Sequence, residues 1–286
     1  MKIGIIGSTG FIGSNLKKNF SSLSKNKYKV FSFSSFKKTS SEWISRICNE
    51  IRYNKPDIII NCAADQNLHN DKKAIINLIN SNLTASSLFL NQAVKNNNFK
   101  GFICFGTKWE FDENRKFNPL NLYAATKHAN DSLLKYFSIK YNFAAISLKI
   151  FDIYGNDNKN QTILNLLLKS YKKKKILKIS PGNQYLDYVH IDELHELITM
   201  ICNDITKNKL NGFETFTVSS KKPIKLKSLI RKLDYKLKYP LKVKIGAKKY
   251  RENEAMKPIK KIYNYPGWKS KLNLIKELEK IFDGQI

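Results

Sequence analysis

The first 150 residues alternate between short apolar runs and stretches with helical spacing, and this alternation limits the chain to few folds. The apolar runs are bounded by glycine, proline or charged residues, which is typical of strands buried on both faces of a sheet. We predict strands at 2–7, 28–34, 57–64, 101–106 and 144–150, and helices at 10–20, 41–53, 81–97 and 121–141. Strands that are joined one after another by helices form a parallel, doubly wound α/β sheet with right-handed crossovers.

After residue 155 this alternation gives way to short elements separated by prolines. The prolines lie at positions 181, 223, 240, 258 and 266. Such a pattern predicts a second, smaller lobe of mixed structure at the C-terminus. We expect the sheet domain to comprise 1–155 and 186–212, and the smaller lobe to comprise 156–185 and 213–286.

The formal net charge of +28 raises the question of a nucleic-acid partner. The basic residues are mostly lysine, whereas the guanidinium group of arginine suits the recognition of phosphates and bases better. Lysine, asparagine and isoleucine are enriched together along the whole chain, as AT-rich coding would produce. The one dense basic run, at 169–178, is explained as a solvated helix end. We therefore expect no nucleic-acid partner.

Apolar runs and cysteines indicate the compartment. No run approaches the roughly 18 residues that a membrane span needs, so we expect no membrane partner. The N-terminal residues continue directly into the strand pattern, unlike a signal peptide. The cysteines at positions 48, 62, 104 and 202 lack metal-ligand spacing and are interpreted as thiols in a reducing compartment. These observations predict a cytoplasmic protein without a metal site.

The segment GSTGFIGSN (7–15) joins the first strand to the first helix. In such a turn Gly7 permits the sharp bend, Gly10 lets a pyrophosphate approach the backbone, and Gly13 permits close packing of helix on sheet. The unpaired N–H groups at the helix N-terminus bind phosphates. Glycines also occur in other strand–helix turns, but the first turn of a doubly wound sheet favours a dinucleotide. The expected cofactor contacts here are Gly7, Thr9, Gly10, Phe11, Ile12 and Gly13.

The end of the second strand indicates which dinucleotide binds. An NAD site has an acidic residue there, which accepts a hydrogen bond from the ribose 2′-hydroxyl. This chain has FSFSSFKK (31–38) and no carboxylate before Glu42. Hydroxyl groups of Ser34 and Ser35, with the charge of Lys37 or Lys38, would suit a 2′-phosphate. We expect NADP(H), while NAD(H) stays possible because a hydroxyl-rich turn with surface lysines is common in so lysine-rich a chain.

Tyr123 and Lys127 lie four residues apart in NLYAATK (121–127), which has the composition of a helix start. Asn121 is a good helix cap, and the Tyr–Lys pair then occupies one helix face. A free tyrosine is a poor acid–base at neutral pH because its pKa is about 10. A lysine ammonium one turn away is expected to lower that pKa and make the phenol a proton relay. Pairs at this spacing also arise by chance.

Together with NCAAD (61–65) and a threonine after the fourth strand, these motifs resemble the extended short-chain dehydrogenase/reductase family, whose fold is Rossmann-like. The resemblance covers nearly the whole chain and includes LKIFDIYG (148–155) and GNQYLDYVHIDEL (182–194). It implies that Tyr123 exchanges a proton with the substrate oxygen, Thr107 hydrogen-bonds that oxygen, and Lys127 also holds the cofactor ribose. It adds Cys62, Ala63 and Ala64 to the cofactor site. It also implies a homodimer through the helices at 81–97 and 121–141.

The segment FGTKWEFD (105–112) distinguishes reactions within that family. Relatives that dehydrate nucleotide sugars have an Asp–Glu pair directly after the threonine, and relatives that epimerise at C3 and C5 have a cysteine two places after it. Lys108 and Trp109 occupy those positions here. What remains is hydride transfer at one carbon.

The closer resemblance is to bacterial reductases of nucleotide-linked 4-keto-deoxysugars, the abequose- and paratose-synthase group. It implies NADPH-dependent reduction of a nucleotide-diphosphate-linked 4-keto sugar in surface polysaccharide synthesis, with the sheet domain binding the dinucleotide and the smaller lobe the substrate. An NAD-retaining nucleotide-sugar 4-epimerase is the alternative. Arg251 is the candidate for the diphosphate, or a surface residue paired with Glu252 or Glu254. The candidate substrate contacts are Asn82, Lys108, Trp109 and Arg251.

Overall fold

The computed structural model describes residues 1–23, 27–34, 40–156, 160–251 and 254–284. The strands are β1 (Lys2–Ile6), β2 (Lys29–Phe33), β3 (Ile58–Asn61), β4 (Gly101–Thr107), β5 (Ala144–Ile150), β6 (Asp152–Tyr154), β7 (Leu177–Lys178), β8 (Tyr185–Leu186), β9 (Tyr188–His190), β10 (Phe213–Val218), β11 (Ile224–Lys225) and β12 (Val243–Lys244). The helices are α1 (Phe11–Ser22), α2 (Ser40–Asn54), α3 (Lys72–Ile79), α4 (Ala85–Ala93), α5 (Leu122–Tyr141), α6 (Ile163–Lys173), α7 (Ile191–Thr206), α8 (Leu226–Asp234) and α9 (Leu274–Asp283).

A six-stranded sheet has the order β10-β5-β4-β3-β1-β2, and the pairs from β5 through to β2 are parallel. The chain therefore leaves β1 in one direction to form β2 and returns past β1 to form β3, β4 and β5. This reversal is the topological switch point at which doubly wound sheets bind ligands, outside the carboxyl ends of the strands. The predicted parallel, doubly wound α/β fold is confirmed.

Helices α2, α4 and α5 pack on one face of this sheet. Their apolar side chains share one core with β3 and β4, in which Trp43 contacts Phe89 edge to face and Phe102 is fully buried. Side chains alternate along a strand, so Gly101 faces the other side, where Ile205 of α7 leaves no room for a larger residue. With helices over both faces, the central strands are buried along nearly their whole length, as their apolar sequence runs indicated.

One helix prediction was wrong in its bounds. The helix expected at 81–97 begins earlier, as α3 capped by Asp71, and continues through a π-helical turn (Asn80–Thr84) into α4. The extra residue of a π turn shifts the helical phase, so one 3.6-residue period does not describe the segment. Three isoleucines before the turn, Ile75, Ile76 and Ile79, are also exposed, although Ala74 and Leu78 are buried. Both effects hide α3 from a search for one buried stripe.

The described chain divides into two compact units. The first comprises 1–112, 117–150 and 195–217 and contains the large sheet, while the second comprises 113–116, 151–194 and 218–286. The second unit has its own apolar core, formed by α6, α8 and α9 with short strand pairs. These bounds differ from the predicted ones, and the assignment of the units to dinucleotide and substrate stays a prediction. In the described ranges no helix is long and apolar enough to cross a bilayer.

Candidate active site

Two of the three glycines in the first strand–helix turn are required by the fold itself. Gly7 has a φ of +75°, and a Cβ there would lie 2.7 Å from the backbone nitrogen of Ala63. A Cβ on Gly13 would lie 2.3 Å from the carbonyl oxygen of Gly7. At Gly10 the nearest atom is also the Gly7 carbonyl oxygen, at an ordinary 3.5 Å. The protein therefore leaves room for a Cβ at Gly10, where glycine would let a pyrophosphate approach the backbone.

The N-terminus of α1 suits an anion. Gly10 is its N-cap and offers no capping side chain, and the first turn contains no acidic residue. The early N–H groups of a helix lack intrahelical partners, and the helix dipole favours negative charge beside them. Thr9 and Gly10 are exposed, and Phe11 and Ile12 are partly exposed. These residues fit the phosphates of a dinucleotide.

The carboxyl ends of β1, β2 and β3 meet at this turn. The carbonyl oxygen of Phe33 accepts hydrogen bonds from Gly7 N at 2.9 Å and from Ser8 N at 3.3 Å. After β3, Cys62 N donates to the carbonyl oxygen of Ile6 at 2.9 Å. The predicted contacts Cys62, Ala63 and Ala64 directly follow β3 and are partly exposed. The cofactor contacts that were predicted after β1, β2 and β3 therefore all lie around the glycine turn between β1 and α1.

The sequence analysis missed a guanidinium group that lies at the end of β2. Arg46 on α2 donates through Nη2 to the carbonyl oxygen of Ser34, the residue after β2. Ser34 is partly exposed, while Ser35, Lys37 and Lys38 lie outside the described residues. An arginine near the end of the second strand is a means of accommodating a ribose 2′-phosphate. The only sequence signal was its place on the helix after β2.

Thr107, Tyr123 and Lys127 are all buried, with 6–7% of each residue exposed. Thr107 ends β4, and its Oγ1 accepts a 3.3 Å hydrogen bond from Trp109 N. Tyr123 and Lys127 stand one turn apart on α5, whose predicted cap Asn121 accepts a 2.9 Å hydrogen bond from Ala124 N. The ring of Trp109 meets the Tyr123 ring edge to face, with centroids 6.4 Å apart.

The Lys127 ammonium is buried without an ion pair among the described residues. Burial lowers the pKa of Lys127, and the nearby Cys104 and Glu110 oppose that shift. In return, Lys127 moderates the pKa of Cys104, which burial raises to about 11, and of Cys62, which burial also raises. A buried ammonium without an ion pair is typical of a functional site because it favours an anionic or hydroxyl-bearing ligand.

The expected pKa shift of Tyr123 was wrong in direction. Burial raises the pKa of Tyr123, and the carboxylate of Glu110 raises it further. Desolvation penalises the phenolate, and one helical turn to Lys127 does not outweigh this. The phenol is therefore protonated at neutral pH, which is the state of a proton donor.

The buried Asn82 holds two parts of the site together. Its Oδ1 accepts from Asp65 N at 3.0 Å, and its Nδ2 donates to the Asp65 carbonyl oxygen at 3.1 Å and to Thr126 Oγ1 at 3.0 Å. Thr126 lies between Tyr123 and Lys127, and its Oγ1 also donates to the Tyr123 carbonyl oxygen at 2.8 Å. Asn82 thus links the segment after β3 to the first turns of α5.

Lys108 and Trp109 lie in a 3₁₀ turn (Lys108–Glu110) directly after Thr107, and both are partly exposed. They are therefore accessible next to the Tyr–Lys pair, as a substrate contact requires. Arg251 lies in the second unit and is exposed, and the following Glu252 is outside the described residues.

A buried charged cluster, missed by the sequence analysis, lies behind Thr107. Lys149 Nζ on β5 contacts Glu110 Oε2 at 2.5 Å and Asp131 Oδ2 at 2.6 Å, and His128 Nδ1 lies 3.3 Å from Glu110 Oε2. Burial alone lowers the pKa of Lys149, but the two carboxylates outweigh it and the pKa is raised. Glu110, His128 and Asp131 have the spacing of a cation site, but the ammonium of Lys149 already pairs with both carboxylates. In the sequence, the indication of this buried cluster was a lysine within the apolar run AAISLKI (144–150).

The fold and this arrangement of turn, threonine and Tyr–Lys pair define an NAD(P)-dependent enzyme of the extended short-chain dehydrogenase/reductase type. The chain belongs to the NAD dependent epimerase/dehydratase family, whose sequence model matches residues 3–212.

The individual proteins that resemble this chain have low sequence identity to it. The chain is 28% identical to CDP-abequose synthase of Yersinia pseudotuberculosis, over 95% of this chain and 96% of that protein. It is 22% identical to protein CapI of Staphylococcus aureus, over 83% of this chain and 84% of that protein. The solved UDP-glucose 4-epimerase of Thermotoga maritima, in complex with UDP-glucose, superimposes with a TM-score of 0.82 at 18% identity, covering 99% of this chain and 98% of that chain. At this sequence identity, the structural similarity shows a shared fold and no more.

Proposed function

We propose that this enzyme uses NADPH to reduce a nucleotide-diphosphate-linked 4-keto-deoxysugar to the 4-hydroxy sugar, in the synthesis of a surface polysaccharide. The observation that carries the proposal is the chemistry beside Tyr123. Lys108 and Trp109 follow Thr107, and the next carboxylate, Glu110, is fully buried against Lys149. Because this carboxylate is buried and paired with Lys149, Tyr123 is left as the proton donor for a reaction at one carbon.

The residues divide the work of carbonyl reduction. NADPH, when bound, supplies the hydride. Tyr123 donates its proton to the carbonyl oxygen as that oxygen gains negative charge, and such transfer is worth about 10²–10⁴ in rate. Thr107 Oγ1 already accepts from Trp109 N, so its own hydrogen is available to donate to the same oxygen. Lys127 stabilises the phenolate left on Tyr123 and holds the cofactor ribose.

The cofactor preference rests on the end of β2. The Arg46 guanidinium bonds to the carbonyl oxygen of Ser34, and no carboxylate precedes Glu42 in this segment. A planar guanidinium suits a phosphate, whereas an acidic residue suits a free ribose 2′-hydroxyl. We therefore favour NADPH, with Arg46 beside Ser34 and with Ser35 and Lys37 as further contributors.

The substrate class rests on the residues around the phenol and on the relatives. The indole of Trp109 adds a partly exposed apolar surface against Tyr123, which suits a sugar face that lacks hydroxyl groups. The exposed Arg251 is the proposed source of positive charge for a diphosphate. A relative named CDP-abequose synthase supports a nucleotide-linked sugar as the substrate.

The decisive experiment supplies nucleotide-linked 4-keto-6-deoxy and 4-keto-3,6-dideoxy sugars with NADPH and follows the near-ultraviolet band of the reduced nicotinamide. A reductase consumes one NADPH for each sugar reduced, and its cofactor exchanges freely at each turnover. The 4-epimerase alternative uses the same three residues, so the catalytic groups do not separate the two.

The epimerase predicts a different result. It would purify with bound NAD and interconvert 4-hydroxy epimers without consuming added cofactor. That outcome would replace the reductase assignment with the epimerase. The Tyr123→Phe variant is the blank for both assays, because both reactions need the phenol.

A further inference from the structure

Two segments of the second unit form a strongly positive surface. They are 172–178 and 235–244, and together they contain nine lysines and no aspartate or glutamate. All nine lysines are exposed, and none of them takes part in an ion pair within the described residues. We call these two segments the basic surface. None of the residues assigned to the proposed reaction lies in it.

The two segments lie side by side in the fold. β7 and β12 pair in parallel, which places Leu177 beside Val243 and Lys178 beside Lys244. The pairing continues in a 2.8 Å hydrogen bond from Leu177 N to the carbonyl oxygen of Lys242. Like charges at opposed positions destabilise a pair of strands, so the two exposed ammonium groups of Lys178 and Lys244 weaken this pairing.

Large apolar side chains are exposed among these lysines. Tyr235 is 87% exposed, Ile176 is 68% exposed and Tyr239 is 51% exposed. The ammonium groups of Lys174 and Lys238 each lie 5.5 Å from the centroid of the Tyr239 ring, within the range of a cation–π contact. The basic surface therefore presents aromatic rings and ammonium groups together. Tyrosine combines an apolar ring with a polar hydroxyl, which suits the boundary between water and a bilayer.

Neighbouring carboxylates do not cancel the charge of the basic surface. Asp234 Oδ1 accepts a 2.5 Å hydrogen bond from Leu241 N, and Asp283 Oδ1 accepts a 2.7 Å hydrogen bond from the hydroxyl of Tyr171. Within the described residues, these two are the acidic side chains hydrogen-bonded to the basic surface or to the helical turn before it. Two carboxylates facing nine ammonium groups leave a large positive excess.

We propose that the basic surface binds the headgroups of anionic lipids and holds this protein reversibly at a membrane surface. Each basic residue close to an anionic bilayer strengthens association by about fivefold, so several of the nine lysines suffice. The exposed rings of Tyr235 and Tyr239 then enter the headgroup region, where amphipathic side chains are favoured. Association with a surface needs no membrane span, so the lack of a long apolar run in the sequence does not argue against it.

One competing explanation is that the lysines only stabilise the end of α6. Cations at a helix C-terminus oppose the helix dipole, and Lys172 and Lys173 lie in the last turn of α6. This effect does not account for the four lysines of 235–244, which come from outside that helix.

A nucleic acid is the other anionic partner to consider. The basic surface contains no arginine, although arginine is the residue that suits phosphates and base edges best. Lysines with exposed tyrosines therefore favour a lipid headgroup over a nucleic acid.

The test measures cosedimentation of the full chain with two kinds of vesicle, one of phosphatidylcholine alone and one that also contains one-third phosphatidylglycerol. We expect binding to the anionic vesicles and little to the neutral ones. The affinity should fall at least about tenfold when the salt is raised to about 0.5 M, because the Debye length then shortens to about 4 Å. Equal binding to both kinds of vesicle, or no binding to either at low salt, would overturn the proposal.

Two fourfold variants locate the binding surface, and urea unfolding confirms that both are folded. One variant removes charges from the basic surface through Lys173→Gln, Lys174→Gln, Lys236→Gln and Lys238→Gln. The control removes exposed lysines of the first unit through Lys17→Gln, Lys18→Gln, Lys95→Gln and Lys100→Gln. Both lower the net charge equally, so a general attraction by the whole chain would weaken equally in both. We expect the first variant to lose about 10²-fold in affinity and the control to lose much less. An equal loss in both variants would overturn the proposal.

The exposed rings are tested separately. Tyr235→Ser should weaken binding to the anionic vesicles several-fold, whereas Tyr53→Ser, at an 88% exposed tyrosine of the first unit, should not. Equal affinities of these two variants would contradict the contact of Tyr235 with lipid.

A DNA duplex of mixed sequence tests the other anionic partner in the same buffer. If the duplex binds more tightly than the anionic vesicles, and loses affinity in the first fourfold variant, nucleic acid replaces lipid as the partner and the proposal fails. These measurements use neither sugar nor dinucleotide, so their outcome is independent of the proposed function.

Discussion

The side-chain amide of Asn82 donates a 3.0 Å hydrogen bond to the hydroxyl of Thr126, and its other two bonds hold the backbone of Asp65. This one buried residue therefore ties the segment after β3 to the helix that carries Tyr123 and Lys127. The link connects a residue in a π-helical turn to the helix of the proposed site.

We expect Asn82→Ala to lower the free energy of unfolding by about 2–3 kcal/mol, because it removes the side-chain bonds to the Asp65 backbone and one of the bonds of the Thr126 hydroxyl. Urea unfolding measures this loss, and NADPH affinity should fall with it. Asn98→Ala, at an exposed position, is the control. A stable Asn82→Ala protein with normal NADPH binding would show that the link is dispensable.

Tyr123→Phe should retain the fold and dinucleotide binding but lose at least about 10²-fold in turnover, since only the proton donor is removed. Tyr136→Phe makes the same change at an exposed position on the same helix and should be silent. Turnover is measured with the 4-keto sugar assay. Unchanged turnover in Tyr123→Phe would refute the proposed mechanism.

Lys127→Met should weaken both turnover and NADPH affinity, because this lysine is proposed to stabilise the phenolate and to hold the ribose. Calorimetry of NADPH binding separates the two effects, since Tyr123→Phe should change turnover alone. A Lys127→Met variant with normal NADPH affinity would show that Lys127 does not hold the ribose.

NADPH should bind more tightly than NADH, and Arg46→Ala should reduce that preference by about tenfold or more through loss of a charge-assisted bond. Isothermal titration with both dinucleotides measures the ratio. Arg52→Ala removes an exposed arginine from the same helix and should leave the ratio unchanged. Lys37→Ala and Lys38→Ala test the remaining positive charge in this segment. Equal affinities of the wild type for NADPH and NADH would contradict the predicted preference.

Exposed apolar side chains on α4 and α5 are candidate contacts of the expected homodimer. Leu88 on α4 is 43% exposed and Ile139 on α5 is 70% exposed, which is high for apolar side chains. Ile139→Asp should shift the mass measured by light scattering from dimer to monomer. Ile176→Asp, at an equally exposed isoleucine in the second unit, should not. A wild-type monomer would contradict the expectation.

Stability should decline in alkaline solution. Burial raises the pKa of Cys104 to about 11 and of Cys202 to about 12 from an ordinary 9.0. The unfolded chain loses these protons first, so the free energy of unfolding is fully retained below about pH 8.5 and falls as pH rises toward the folded pKa values. Urea unfolding between pH 7.5 and about 10.5 measures the slope, which each thiol steepens by at most about 1.4 kcal/mol per pH unit. Cys202→Ala should flatten the slope, and an equal slope would contradict the assignment.

Much of the fold follows from local pattern. Apolar runs with glycine and charge at their ends mark β1, β3 and β5, and Asn121 marks the start of α5. Parallel strands joined by helices then admit essentially one handedness, which brings the glycine turn and the later strand ends to one edge. The start of α3 escaped because the π turn breaks the helical period.

The chemistry behind the site depends on contacts that no local pattern contains. Glu110 and Lys149 are 39 residues apart, and Arg46 reaches Ser34 from the following helix. The sequence alone placed Tyr123 and Lys127 on one helix face, because spacing along a helix is a local property. It did not decide the direction of the Tyr123 pKa shift, because desolvation and charge are summed over every neighbour that folding brings near the phenol.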